Sequence, residues 1–225
     1  LNVSSGFAMD TNRGITLNAG NGTIDVDGSQ TLTYNGIIAG TGNSLTKTGD
    51  GTLLLGGATN TYTGKTDISA GTLSLGNNNV LPDDTAVTVS GGTFNLASND
   101  DTVGSIAGGG DITLGGGALT AGGDGTDTNF SGVISETGSF TKEGTGTLTL
   151  EGINTYSGGT TVSDGTLDTT GGGKLADSGK VTVEGSGIYT VGTADTIGVL
   201  DNSGTVNVDQ DLTASDITGA GGLVI

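Results

Sequence analysis

Residues 45–73 read LTKTGDGTLLLGGATNTYTGKTDISAGTL, and residues 140–167 read FTKEGTGTLTLEGINTYSGGTTVSDGTL. The two align almost end to end with one single-residue gap, pairing Lys47 with Lys142, Gly51 with Gly146 and Tyr62 with Tyr156. Self-similarity of this kind is weighed first, because a repeat decides the architecture before any local pattern does. The match runs backwards, YNGIIAGTGNS (34–44) answering FSGVISETGS (130–139). It also runs forwards, LPDDTAVTV (81–89) answering LADSGKVTV (175–183) and DTVGSI (101–106) answering DTIGVL (195–200). Two internal repeats, 34–106 and 130–200, thus cover most of the chain, and a third copy starts near 217 at ITGAGGLV.

Within each copy the pattern has period two: GTLTL, TLSL, AVTV, TFNL, DITL, KVTV, TVNV. Alternation over four or five residues describes a half-buried strand with one apolar face. Gly, Asn and Asp close each run because they tolerate the backbone of tight turns. No segment of ten residues carries helical spacing. Short strands nested in a long repeat, with small aliphatic side chains and only 4% aromatics, favour a solenoid over a sandwich or barrel. The predicted fold is all-β: one parallel β-helix (β-solenoid) over 1–225, without an internal domain boundary. Roughly eleven coils stacked ~4.8 Å apart make a rod about 50 Å long.

TGKT (63–66) resembles the end of a phosphate-binding loop. The motif needs a glycine five places before its second one, and position 59 is Thr; it also needs a helix to follow. The second copy replaces Lys65 with Gly159. TGKT reads as a turn between strands.

The 24 acids against 6 bases leave a net charge of −18, which excludes nucleic acid and anionic membrane surfaces as partners. The absence of Cys and His removes thiol chemistry, imidazole catalysis and the usual zinc sites. It also suits a chain that crosses a membrane unfolded. No apolar run is long enough to span a bilayer, so the segment is not membrane-inserted, and no signal peptide opens it. The sequence starts at Leu1 in mid-pattern, which reads as a fragment of a longer chain.

SLTKTGDGTLLLGGATNTYTGKT (44–66) and SFTKEGTGTLTLEGINTYSGGT (139–160) resemble the autotransporter-associated β-strand repeat, also called the passenger-associated transport repeat. Phe140 stands in place of the leucine, and the first copy has one extra residue before Tyr62. The resemblance covers about half the chain. It implies a right-handed parallel β-helix in the passenger of a Gram-negative type V secretion system, at the cell surface or secreted. It also implies a C-terminal β-barrel translocator in the parent chain. Family members are mostly adhesins, self-aggregation factors and virulence proteins, so adhesion, cell–cell aggregation or biofilm formation is the expected function. The expected partners are a second copy or a protein or glycan ligand on a host or bacterial surface. One alternative is a polysaccharide-acting enzyme or binding module on the same scaffold. The other is a stalk and export-folding segment that binds nothing.

No catalytic residue, cofactor or metal site is predicted. Asp83–Asp84 and Asp100–Asp101 are sequential pairs, whose side chains point to opposite faces of a strand. GGDGTDTNF (122–130) matches the calcium nonapeptide at Gly122, Gly123, Gly125 and Asp127, but Asn129 replaces its apolar residue. Lys47 and Lys142 are expected to lay their stems along the coil with the ammonium in water, and Tyr62 and Tyr156 to seal a turn. Segments 76–86 and 98–101 are the most polar and least regular, and are expected to protrude from the rod. Asn77, Asn78, Asn79, Asp83, Asp84, Asn99, Asp100 and Asp101 are therefore the candidate interaction residues.

Overall fold

The computed structural model describes residues 1–225 and contains no helix. Its strands stack in parallel on three faces. Face one begins with Asn2–Val3, Gly22–Val26, Leu45–Thr48, Thr66–Ile68, Ala86–Val89 and Ser105–Gly108. Face two stacks Phe7–Met9, Thr31–Tyr34, Thr52–Leu55, Thr72–Leu75, Thr93–Asn95, Asp111–Thr113 and Ile134–Ser135. Face three starts with Ile15–Thr16, Ile38–Gly40 and Thr61–Tyr62. It resumes with Asp101–Val103, Ala118–Ala121 and Ser139–Lys142. In the second half faces three and one merge into longer strands, Thr160–Asp168 and Val181–Val191, with an irregularity between Val162 and Asp164. The result is a β-solenoid of about eleven turns.

Alternation puts every second residue inside, where 42 buried apolar residues form one continuous column. All four tyrosines of the chain, Tyr34, Tyr62, Tyr156 and Tyr189, are in it. Phe140 and Tyr156 meet edge-on at 6.4 Å, the arrangement aromatic pairs prefer.

The two sequence repeats do not sit above one another. Lys47 lies on face one between Ile24 and Ile68; Lys142 lies on face three between Ala121 and Val162. From the first to the second, the chain passes four further face-one strands, then a face-two and a face-three strand. One repeat therefore advances the solenoid by four and two-thirds turns. Matched residues end on different sides of the rod.

Glycine marks the corners. A Cβ on Gly132 would lie 1.9 Å from the Gly110 carbonyl oxygen, and one on Gly152 would lie 1.9 Å from that of Gly132. Backbone rests directly on backbone there, so an added methyl group would force the coils apart. Gly132→Ala is expected to lower stability by about 1–3 kcal/mol. Gly185→Ala, where nothing stands within 4 Å, should change it by less than about 0.5 kcal/mol. Denaturant titration of both variants checks this; equal effects would remove the stacking argument.

Candidate functional site

The residues that recur between the copies point inward. Lys47 and Lys142 are 0% and 1% exposed, against the expectation of a wetted ammonium. Lys47 Nζ donates to the carbonyls of Thr48 and Gly49 at 2.7 Å and of Ala70 at 3.3 Å. Lys142 repeats the pattern on Glu143 and Gly144 at 2.7 Å and Asp164 at 3.2 Å. Three donors meet three acceptors, and the third acceptor belongs to the next coil. The physical reason for the correction is geometric: a lysine two residues after Leu45 or Phe140 shares their inward side. From there its stem reaches the corner, where carbonyls converge. Burial lowers the pKa of both lysines, opposed by nearby carboxylates.

Asn60 and Asn154, which composition alone does not single out, are also buried. Asn60 accepts from the Ile38 N–H at 2.7 Å and donates to the Val80 carbonyl at 2.9 Å, tying three coils together. Asn154 does the same between Ile134 and Lys174, both at 2.8 Å. Tyr62 and Tyr156 brace their turn from inside, pairing their hydroxyls with buried Thr66 and Thr160. Thr66 closes TGKT, so its hydroxyl serves the core, while Lys65 is exposed.

Of the candidate interaction residues, Asn77, Asn78, Asn79, Asp83, Asp84 and Asp100 are exposed and Asn99 is half-buried. Asp101 is buried, 2% exposed, and offers nothing to a partner. Its Oδ2 accepts from the Val80 and Leu81 N–H groups at 3.1 and 3.2 Å, and its Oδ1 from Thr102 N–H. The matched Asp195 accepts from the Leu175 N–H at 3.0 Å and the Tyr189 hydroxyl at 3.1 Å. Segment 76–86 does not protrude. Val80, Leu81 and Thr85 are buried, and the side chains of Asn77 and Asn78 bond neighbouring coils. Asn77 Nδ2 donates to the Gly56 carbonyl at 2.6 Å, Asn78 Oδ1 accepts from the Asp100 N–H at 3.0 Å, and Asp100 Oδ1 from the Ala118 N–H at 2.8 Å. Polarity here reflects bonding between coils, which mimics the composition of a loop.

The partial nonapeptide is used in the same way: Asp127 Oδ1 accepts from the Thr147 N–H at 2.7 Å, and Asp124 from Ser105 and Thr126. No group of three Asp or Glu is gathered to hold a metal ion. The surface instead carries columns of threonine. Thr31, Thr52, Thr72 and Thr93 align outside face two. Thr102, Thr120, Thr141, Thr161 and Thr182 align outside face three.

The passenger-associated-transport-repeat family matches residues 45–75 and 140–168, the stretches that contain these buried lysines, asparagines, tyrosines and threonines. A relative named "Adhesin BmaC autotransporter", from Brucella suis biovar 1 (strain 1330), is 39% identical over 170 residues. The aligned part is 72% of this chain and 5% of that protein, so the chain spans about one-twentieth of the relative's length. No solved structure matches the chain.

Two measurements test the internal bonds. Lys47→Met strands three carbonyls and is expected to lower stability by about 2–3 kcal/mol. Lys65→Met, inside TGKT but exposed, should change it by less than about 0.5 kcal/mol. The second measurement is pH. Burial pushes Asp101 up to about 7 against the three N–H bonds that favour its charge, and raises Asp195 as well. The folded chain then holds these protons at pH values where the unfolded chain, near ~3.9, has lost them. For Asp101 this stabilisation is complete below about pH 4 and is lost as pH rises through about 7. The melting temperature should fall across that window, and Asp101→Asn should flatten the fall; an unchanged slope would refute the assignment.

Proposed function

The chain is a segment of an autotransporter passenger domain, and from that premise we propose that it mediates adhesion. A passenger lies outside the cell, on the surface of a Gram-negative bacterium or secreted from it. The role is non-enzymatic, and cell–cell aggregation and biofilm formation follow where rods on neighbouring cells pair. In this reading the parent chain carries a C-terminal β-barrel translocator.

One observation carries the proposal: the outward threonine columns on two faces of the rod. They set neutral hydroxyl and methyl groups at intervals of ~4.8 Å. Each hydrogen bond made by such a face is worth only about 0.5–1.5 kcal/mol net, so attachment depends on many in register. A stiff solenoid supplies that register. The name of the Brucella relative supports the same reading. A second reading, a stalk that assists folding during export, is favoured by the inward position of the matched lysines, asparagines, tyrosines and aspartates. Deleting 1–225 from the parent separates the two. Lost adhesion with normal surface display supports the proposal, whereas lost display supports the stalk.

Salt gives an independent test. Two copies each carry −18, and their repulsion opposes contact at low ionic strength. Screening shortens that repulsion to ~8 Å at physiological salt and leaves neutral contacts almost unchanged. Self-association should therefore strengthen between ~10 mM and ~150 mM salt, as read by sedimentation. Steady weakening would mean charge-paired contacts and a different interface.

A further inference from the structure

The two repeats provide an internal comparison. Their buried lysine, asparagine, tyrosine and aspartate staples agree, so outward positions where the copies differ mark what is particular to one copy. Several differences meet at one place. Copy one reads GGATN (56–60) where copy two reads EGIN (151–154), a one-residue insertion. It has Asn35 where copy two has Ser131, and Asn77 and Asn78 where copy two has Gly171 and Gly172. In the folded chain these positions line a single lateral groove of about 510 Å³, with Ile37, Ala58 and Thr59 beside Asn35, Asn77 and Asn78. Copy two closes the corresponding space. Glu151, which replaces Gly56, lies against Gly171, where an added Cβ would come within 2.4 Å of the glutamate Cγ.

The groove's chemistry is specific. None of its nine lining residues is charged, in a chain of net charge −18. Asn77 is oriented by its Nδ2 bond to Gly56, and Asn78 by the Asp100 N–H on its Oδ1. Asn77 Oδ1 and Asn78 Nδ2 are left unpaired, as is the whole Asn35 amide. These atoms supply both donors and acceptors. Ile37 is 43% exposed and supplies an apolar patch. The volume lies within the range of small-molecule sites, about 300–1,000 Å³. An added peptide strand is disfavoured, because the strands on either side of this corner are already paired above and below.

We propose that this groove binds a neutral glycan, whose hydroxyls meet the three asparagine amides while a C–H face of the sugar rests on Ile37. The proposal rests on the adhesion reading and names a ligand class for it. The absence of lining charge disfavours sialylated or sulfated sugars, which the −18 chain would also repel.

The test is titration calorimetry of the 225-residue chain with neutral hexose and N-acetylhexosamine oligosaccharides, with their sialylated and sulfated counterparts, and with uncharged peptides. Saturable binding of a neutral oligosaccharide is expected. Asn35→Ser combined with Ile37→Ser should weaken it by about tenfold or more, with the melting temperature unchanged. Ile153→Ser, at the matched corner of copy two, should leave binding intact. Failure of the folded chain to bind any neutral oligosaccharide at millimolar concentration would overturn the proposal. So would undiminished binding by the double variant, or a preference for anionic sugars or peptides. Parent-chain adhesion that persists in the absence of oligosaccharide binding would sink the groove alone and leave the adhesion reading standing.

Discussion

Gly110, Gly132 and Gly152 follow one another at a corner where successive backbones leave no space for a side chain. Related contacts recur at the other corners. A Cβ on Gly138 would lie 2.0 Å from the Gly117 oxygen, and one on Gly144 would lie 2.1 Å from that of Gly122. This close approach lets flat strands on three faces join without a helix or long loop, and it accounts for much of a composition with 47 glycines. It also has a cost. Glycine loses more conformational freedom on folding than any other residue, and the corners have no side chains to bury. Stability must therefore come from the faces and from bonds between coils.

The interior supplies those bonds with polar groups in matched positions. A buried ammonium or carboxylate is unfavourable unless its hydrogen-bonding capacity is filled. Lys47 fills three donors with carbonyls, and Asp101 receives three N–H groups. No buried side-chain polar atom lacks a partner. Each staple reaches into a neighbouring coil, so removing one weakens two coils together. In a solenoid, where each coil contacts only its neighbours, such links set how far a local opening spreads.

Most of the architecture was legible because the period-two pattern is strict. The same rule could have placed the staples: Lys47 follows Leu45 by two, Lys142 follows Phe140 by two, and Asp101 precedes Val103 by two. Each shares the inward side of an apolar neighbour. The general habit of charged residues to stay wet pointed the other way, and in this narrow core it gave the wrong answer. The expected protrusion of segment 76–86 failed for a related reason, since asparagines that bond adjacent coils have the composition of a loop. The rotation between repeats was not readable at all. It depends on strand pairing across coils of unequal length, which no local pattern encodes.

That rotation constrains how a surface can work. Because a repeat advances four and two-thirds turns, a side chain exposed in every copy would wind around the rod in three directions. One flat partner would meet only one copy in three. A repeated outward motif is therefore a poor way to build a continuous adhesive stripe, whereas an inward motif keeps its value on any face. The buried staples and the groove follow this division. Lysine, asparagine, tyrosine, threonine and aspartate agree inside, while Asn35, Gly56, Asn77 and Asn78 are replaced by Ser131, Glu151, Gly171 and Gly172 outside. The interior behaves as a template that can be copied along a chain without regard to azimuth. Selective recognition of a small ligand is left to places where a single copy departs from it, while the threonine columns run along a face through successive coils whatever the repeat.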